Sequence, residues 1–276
     1  MIQYIICFIA LVIGSITDLK TQEVPDYVNY SLIATGFCLA ILSSIIFKDY
    51  SYSIASLIGF GLCFIFSVIM YYTGQWGGGD AKMLMGIGAM IGLPYKELLS
   101  FSFLATFVVL IFFIGGIYGT LWMLVFLIQH WKPFKEKYYA RKQNTKTVYA
   151  LYGTIIILFI ASFIVEDFFL KVFLIACGFL VFILYYMFII IKILEQIAFI
   201  KDLPVDKATE GDWVAEYILV DKKVIITKKN LGITKEQLAE LKELAAKGKL
   251  QTLKLKYGIP FVPSFLIAFI VTVIIF

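Results

Sequence analysis

Apolar runs near the length of a bilayer crossing recur along this chain and leave few folds open. A helix needs about 20 consecutive apolar residues to cross a hydrocarbon layer roughly 30 Å thick. The sequence shows eight apolar segments, at 2–17, 28–47, 53–73, 81–93, 97–129, 149–165, 169–199 and 259–276. Hydrophobic residues make up 61% of the 276 positions and aromatics 17%, too much apolar surface for a water-soluble domain. The fold expected is an α-helical polytopic membrane protein in a lipid bilayer. The fourth segment, Ala81 to Leu93, rises only about 20 Å as a helix and is expected to start inside a protein-lined cavity. Residues 1–17 lack a basic start and a small-residue cleavage site and run into Asp18-Leu19-Lys20. They are read as a retained first helix rather than a cleaved signal.

Charge orients the segments. With the loop after the first segment in the cytoplasm, the inside receives Lys20, the cluster Lys132, Lys135, Lys137, Arg141, Lys142 and Lys146, and twelve lysines between Lys201 and Lys256. The outside receives Lys48, Lys96 and Lys171. Long domains follow the rule poorly, but the short loops alone give seven basic residues inside against three outside. Both termini are then expected outside. The net charge of +5 follows from this topology, and no nucleic-acid partner is expected.

Three parts are expected: a membrane-embedded catalytic domain over 1–200, a small cytoplasmic α+β insert over 201–258, and a C-terminal transmembrane helix over 259–276. In the insert, "EYILV" and "KVIIT" read as strands around Asp221-Lys222-Lys223, and "LQTLKLKY" as a third. Thr234 and Gln237 are spaced as a capping box for a helix that Gly248 ends. Pro260 and Pro263 suit the first turn of the last helix. Gly88 with Gly92, and Gly115 with Gly119, would permit close helix packing. The four cysteines form no C-x-x-C pair and one histidine, His130, stands alone, so no metal site and no cofactor are expected.

The acids at the apolar boundaries then carry the question of function. Asp49, Glu97, Glu166 and Asp167 fall in short outer loops and read as solvated, and Glu195 can reach the interface. Asp18 and Asp80 remain, each at the cytoplasmic end of a membrane segment. Two carboxylates that share a site do not both ionise cheaply, so one can activate water while the other donates a proton. That is the chemistry of an aspartic peptidase, which needs no serine, cysteine or histidine nucleophile. Asp80 opens a helix, where the dipole and Lys82 favour negative charge, and Asp18 ends one. Asp80 is therefore expected to be the resting base and Asp18 to carry the shared proton, although Lys20 acts against that division. Gly77, Gly78 and Gly79 permit positive φ and leave no β-carbon in the path of an extended substrate. A glycine turn between two helices explains the same residues equally well, and Lys82 also fits as a snorkelling side chain.

"GGGDAKML" carries a G-x-G-D signature, with Gly77, Gly79 and Asp80 in place. "ITDLKTQEVPDYVN" places Asp18 seven residues before a Pro25-Asp26 step. The two blocks in this order, with "GAMIGLP", "GDWVAEYILV" and "KYGIPFVPSFL", resemble archaeal members of the type IV prepilin peptidase and preflagellin peptidase family over residues 1–93 and about 211–270. The resemblance implies a membrane aspartic endopeptidase that cuts short basic leaders from prepilin or preflagellin (archaellin) precursors at the cytoplasmic face of the cell membrane, with Asp18 and Asp80 catalytic. Glu23 and Asp26 are candidates for attracting a basic leader, and Asp26 equally reads as a helix N-cap. The chain departs from many bacterial members in lacking a cysteine-rich zinc insert, so N-methyltransferase activity is not expected. The family core has six membrane segments, against eight read here. Presenilin and signal-peptide-peptidase proteases share G-x-G-D, but their Tyr-Asp and Pro-Ala-Leu motifs are missing. A non-enzymatic carrier or assembly protein would place its acids near mid-membrane on broken helices.

Overall fold

A computed structural model describes residues 1–97, 102–141, 145–220, 223–226 and 232–276. The expected turn at Asp221-Lys222 lies outside the described residues, as does Lys142. The chain divides into two units, Met1–Trp122 with Lys201–Phe276, and Met123–Ile200.

The first unit contains helices α1 (Ile2–Thr21), α2 (Asp26–Phe47), α3 (Ser51–Tyr72) and α4 (Gly78–Ile91), followed by the start of α5 (Phe103–Gln129). Gln22 stops α1 in the left-handed region at φ 58°, its N–H donating to the Asp18 carbonyl, and Pro25 precedes α2 with its fixed φ. Lipid is as apolar as leucine, so helices in a bilayer gain little by hiding leucine from it; close backbone approach and interhelical hydrogen bonds hold them. Both occur around α4. A β-carbon on Gly59 would stand 2.4 Å from the Gly88 carbonyl oxygen, and one on Gly36 2.8 Å from the Ala89 backbone. Buried Ser56 and Ser67 on α3 donate to the carbonyls of Ala89 and Ala81 at 2.6 and 2.9 Å. Helix α4 thus runs antiparallel to α3, wedged between it and α2. Gly88 and Gly92 pack closely, as expected from their spacing, and so does Gly115, but Gly119 meets nothing within 4 Å.

The insert follows in the same unit. Strands β1 (Ile200–Pro204), β2 (Trp213–Val214) and β5 (Thr252–Lys256) form a sheet in the order β1-β5-β2. β2 lies antiparallel to β5, with Trp213 opposite Lys256. β3 (Ile218–Val220) and β4 (Lys223–Ile226) make the hairpin expected from "EYILV" and "KVIIT". Helix α9 (Lys235–Ala246) begins with the Thr234/Gln237 capping box, and Gly248 follows it at φ 70°. Leu241, Leu253, Leu255 and Ile226 form the core of the insert. β1 and β2 were not legible in sequence: β1 continues an apolar helical run, and β2 has two residues. Helix α10 (Val262–Ile275) then runs antiparallel to α1, with Pro263 in its first turn.

The second unit holds the end of α5, a short helix α6 (Trp131–Ala140), and the pair α7 (Thr145–Ile164) and α8 (Phe168–Leu194). Asp167 caps α8 by accepting from the Leu170 N–H at 2.8 Å. The basic cluster read as a loop is partly helical, since Lys132, Lys135 and Lys137 lie on α6.

Among the described residues each of the eight apolar segments contains a helix, and six helices are long and apolar enough to cross a membrane: α1, α2, α3, α5, α7 and α8 with its π-helical extension to Phe199. Helices α4 and α10 have 14 residues each.

Candidate active site

The end of α1 and the start of α4 come together at one end of the first unit. Asp18 stands in the last turn of α1 and is only 5% exposed. Asp80 is in the first turn of α4, half-buried, and accepts a hydrogen bond from the Gly77 N–H at 3.1 Å. The stretches that carry them pack together, since Val24, in the loop after Asp18, lies against Gly79, the residue before Asp80. One turn deeper the helices touch, because Gly14 of α1 leaves room for the Met83 methyl of α4. Two carboxylates brought to one site do not both ionise cheaply, and one proton shared between two such groups is what general acid–base hydrolysis of an amide requires.

The three glycines serve this geometry in a different way from the one expected. None of Gly77, Gly78 and Gly79 has positive φ; in that loop only Gly74 does, at 70°. Gly79 stands in close approach to another part of the protein. A β-carbon there would meet Val24, in the loop after Asp18, at 3.1 to 3.3 Å. Gly78 faces only the Tyr71 ring, at 3.8 Å. The contact between Gly79 and Val24 ties the two acidic blocks together.

Lys82 also departs from expectation. Its ammonium group pairs with Asp26 at 2.5 Å and lies over the Tyr30 ring at 5.2 Å, so Asp26 and Tyr30 hold it. Asp26 is the first residue of α2 and makes no capping hydrogen bond, which corrects its reading as an N-cap. Glu23 is exposed and accepts from the Thr209 hydroxyl of the insert at 3.3 Å. Gln22 donates to the Gly258 carbonyl at 3.1 Å, and the Trp213 ring lies against Gly74. The insert thus touches both loops that carry the acids. Burial raises the Tyr257 phenol above its usual range, and the carboxylates of Asp212 and Glu23 add to this.

Sequence reasoning missed several residues of the site. Asn29 is fully buried on α2 and its amide reaches the Gly79 carbonyl at 3.4 Å. The signal was present, because a carboxamide inside an apolar run asks for a partner. Trp76 is buried just before the glycines and packs edge-on against Phe265 at 5.1 Å and Phe66 at 5.5 Å. The Val262 N–H donates to Asp18 Oδ2 at 2.9 Å, with the Phe261 amide also directed at that carboxylate. A backbone donor leaves no side-chain signal in a sequence.

Residues 5–131 match the sequence model of the type IV leader peptidase family. Asp18 and Asp80 lie inside that stretch, with Glu23, Asp26, the three glycines and Lys82. The chain is 40% identical over 125 residues to a preflagellin peptidase of Methanococcus maripaludis, covering 43% of this chain and 54% of the relative. It is 35% identical over 148 residues to a preflagellin peptidase of Methanocaldococcus jannaschii, covering 50% of this chain and 63% of the relative. A preflagellin peptidase of Methanococcus voltae is 34% identical over 124 residues, covering 42% and 53%. The chain therefore spans under two thirds of the length of these relatives. Phe261 and Val262, which close on Asp18, lie outside the leader-peptidase segment.

Proposed function

We propose that this protein is a membrane aspartic endopeptidase that removes a short basic leader from a preflagellin-type or prepilin-type precursor. The observation that carries this is that Asp18 and Asp80, from two helices of the one matched segment, are brought together where Val24 packs on Gly79 and Gly14 on Met83. The names of the three relatives support the preflagellin class of substrate. The basic short loops support a cytoplasmic location for the end of the bundle that bears the pair.

The chemistry follows from one proton on two carboxyl groups. The ionised carboxylate takes a proton from water, and the water oxygen bonds to the scissile carbonyl carbon. The protonated partner gives its proton to the carbonyl oxygen, forming a neutral gem-diol. The carbon–nitrogen bond then breaks as the nitrogen takes the proton of one carboxyl group and a gem-diol hydroxyl gives its proton to the other, which leaves an amine and a carboxylic acid and returns the dyad to one proton. The apolar helix of the product stays in the bilayer, so a scissile bond just ahead of it lies at the interface, where the dyad stands. Glu23, exposed beside the pair, would draw the basic leader.

The test is cleavage of a tagged precursor by membranes containing Asp18→Asn or Asp80→Asn. Both variants should accumulate normally and leave the precursor uncut. Full cleavage by either would remove the dyad from the mechanism.

A further inference from the structure

We propose that the first turn of α10, through the backbone amides of Val262 and Phe261, is a positioning element of the active site that fixes the Asp18 carboxylate. The proposal rests on the dyad reading and extends it to residues outside the matched leader-peptidase segment. The argument begins with the donors at a helix N-terminus. The first N–H groups of a helix have no partner within it and must find one elsewhere. In α10 the set is small. Pro263 has no N–H, and the Ser264 N–H is used by the Phe261 carbonyl at 3.0 Å. The amides of Val262 and Phe261 remain, and both are directed at Asp18. Asp18 of α1 thus acts as the N-terminal cap of α10 from 244 positions away, in a buried setting.

The same turn also grips the other acid's support. The Phe261 ring lies over Gly115 of α5, where a β-carbon would come within 2.4 Å of it. On another side Phe261 meets the Trp76 ring at 6.0 Å, and Phe265 meets it at 5.1 Å. Trp76 leads directly into Gly77, whose N–H holds Asp80. The Val262 side chain is fully buried and fills the space beside Gly14, next to Met83 of α4. One helical turn therefore sets the azimuth of Asp18 and braces the loop that carries Asp80. A carboxylate held by a buried backbone donor directs its remaining lone pairs to one place, which is what a base acting on a single water requires.

The test removes the donor and keeps every side chain. Incorporating the α-hydroxy analogue of valine at 262 turns the amide into an ester, so N–H becomes O while the side chain stays. The substrate is a precursor with a Lys/Arg leader ahead of an apolar helix, and the enzyme is the full chain in detergent or liposomes. A hydrogen bond to a charged group is worth roughly a 10- to 100-fold effect, so kcat should fall by about that factor with KM unchanged. The acid limb of the pH–rate profile should move to higher pH, because the carboxylate has lost a donor. The equivalent ester at Ser264 removes a bond of the same turn without touching Asp18, and should leave the profile in place.

Wild-type kinetics in the Val262 ester, or equal losses in both esters with an unmoved profile, would each overturn the proposal. Failure of the dyad reading looks different, since Asp18→Asn would then cut as well as the wild type.

Discussion

Gly79 lies against Val24 so closely that an added β-carbon would stand 3.1 Å from the Val24 β-carbon and 3.3 Å from its backbone nitrogen. This contact joins the loop after Asp18 to the residue before Asp80, so it sets the spacing of the pair. Gly79→Ala should slow cleavage by about 10-fold or more, since small misplacements of reacting groups are costly. Gly78→Ala should stay within about 2-fold, because its nearest neighbour is a ring edge in ordinary contact. Initial rates on one precursor, at matched enzyme levels, compare the two.

The other glycines of the first unit divide in the same way. A β-carbon on Gly88 would sit 2.6 Å from the Gly59 carbonyl oxygen and 2.7 Å from Cys63 Sγ. Gly88→Ala should destabilise the bundle by about 1–3 kcal/mol, the usual cost of overpacking a close contact. Gly119→Ala should be neutral or slightly stabilising, since Gly119 faces open space and alanine favours a helix by up to about 1 kcal/mol. Thermal unfolding in detergent reads both.

What the sequence made legible follows from the range of each signal. Apolar length, the Thr234/Gln237 cap and the alternation of "LQTLKLKY" are local, and each appeared where expected. Asp18 and Asp80 were legible because a charge at the edge of an apolar run is costly and calls for a reason. The partners were not legible. Lys82 looks like a neighbour of Asp80 along the chain, yet helical geometry turns it to Asp26 of another helix. The glycines signalled a special backbone, but their constraint is the nearness of Val24 rather than φ. The Val262 amide was silent because every residue but proline carries one.

Charge around the dyad should govern leader binding and depend on salt. Glu23 is exposed and has only a long hydrogen bond from Thr209. Glu23→Gln should raise KM for a basic leader about 2- to 5-fold, the size of an exposed charge contact, and the effect should fade as salt shortens the screening length. Asp26→Asn should also raise KM, because it frees the Lys82 charge to repel the leader. Asp26→Asn combined with Lys82→Gln should return KM toward wild type. Additive losses in that double variant would mean that the two side chains act independently.

The pH dependence of cleavage should be that of the pair. On the dyad reading, activity requires one proton on two carboxyl groups. As pH falls the second group protonates and no base remains; as pH rises both ionise and no acid remains. The kcat profile should therefore be bell-shaped, with two limbs that belong to the Asp18–Asp80 pair rather than to either residue. Burial of Asp18 adds a further expectation. It is 5% exposed, so mobile ions reach it poorly, and raising ionic strength should leave both limbs nearly in place while it erases the Glu23 effect on KM. Single-turnover rates across pH at two salt concentrations test this directly. A profile with a single limb, or limbs that travel with salt as far as the KM effect does, would mean that the rate is set by surface groups instead of the buried pair.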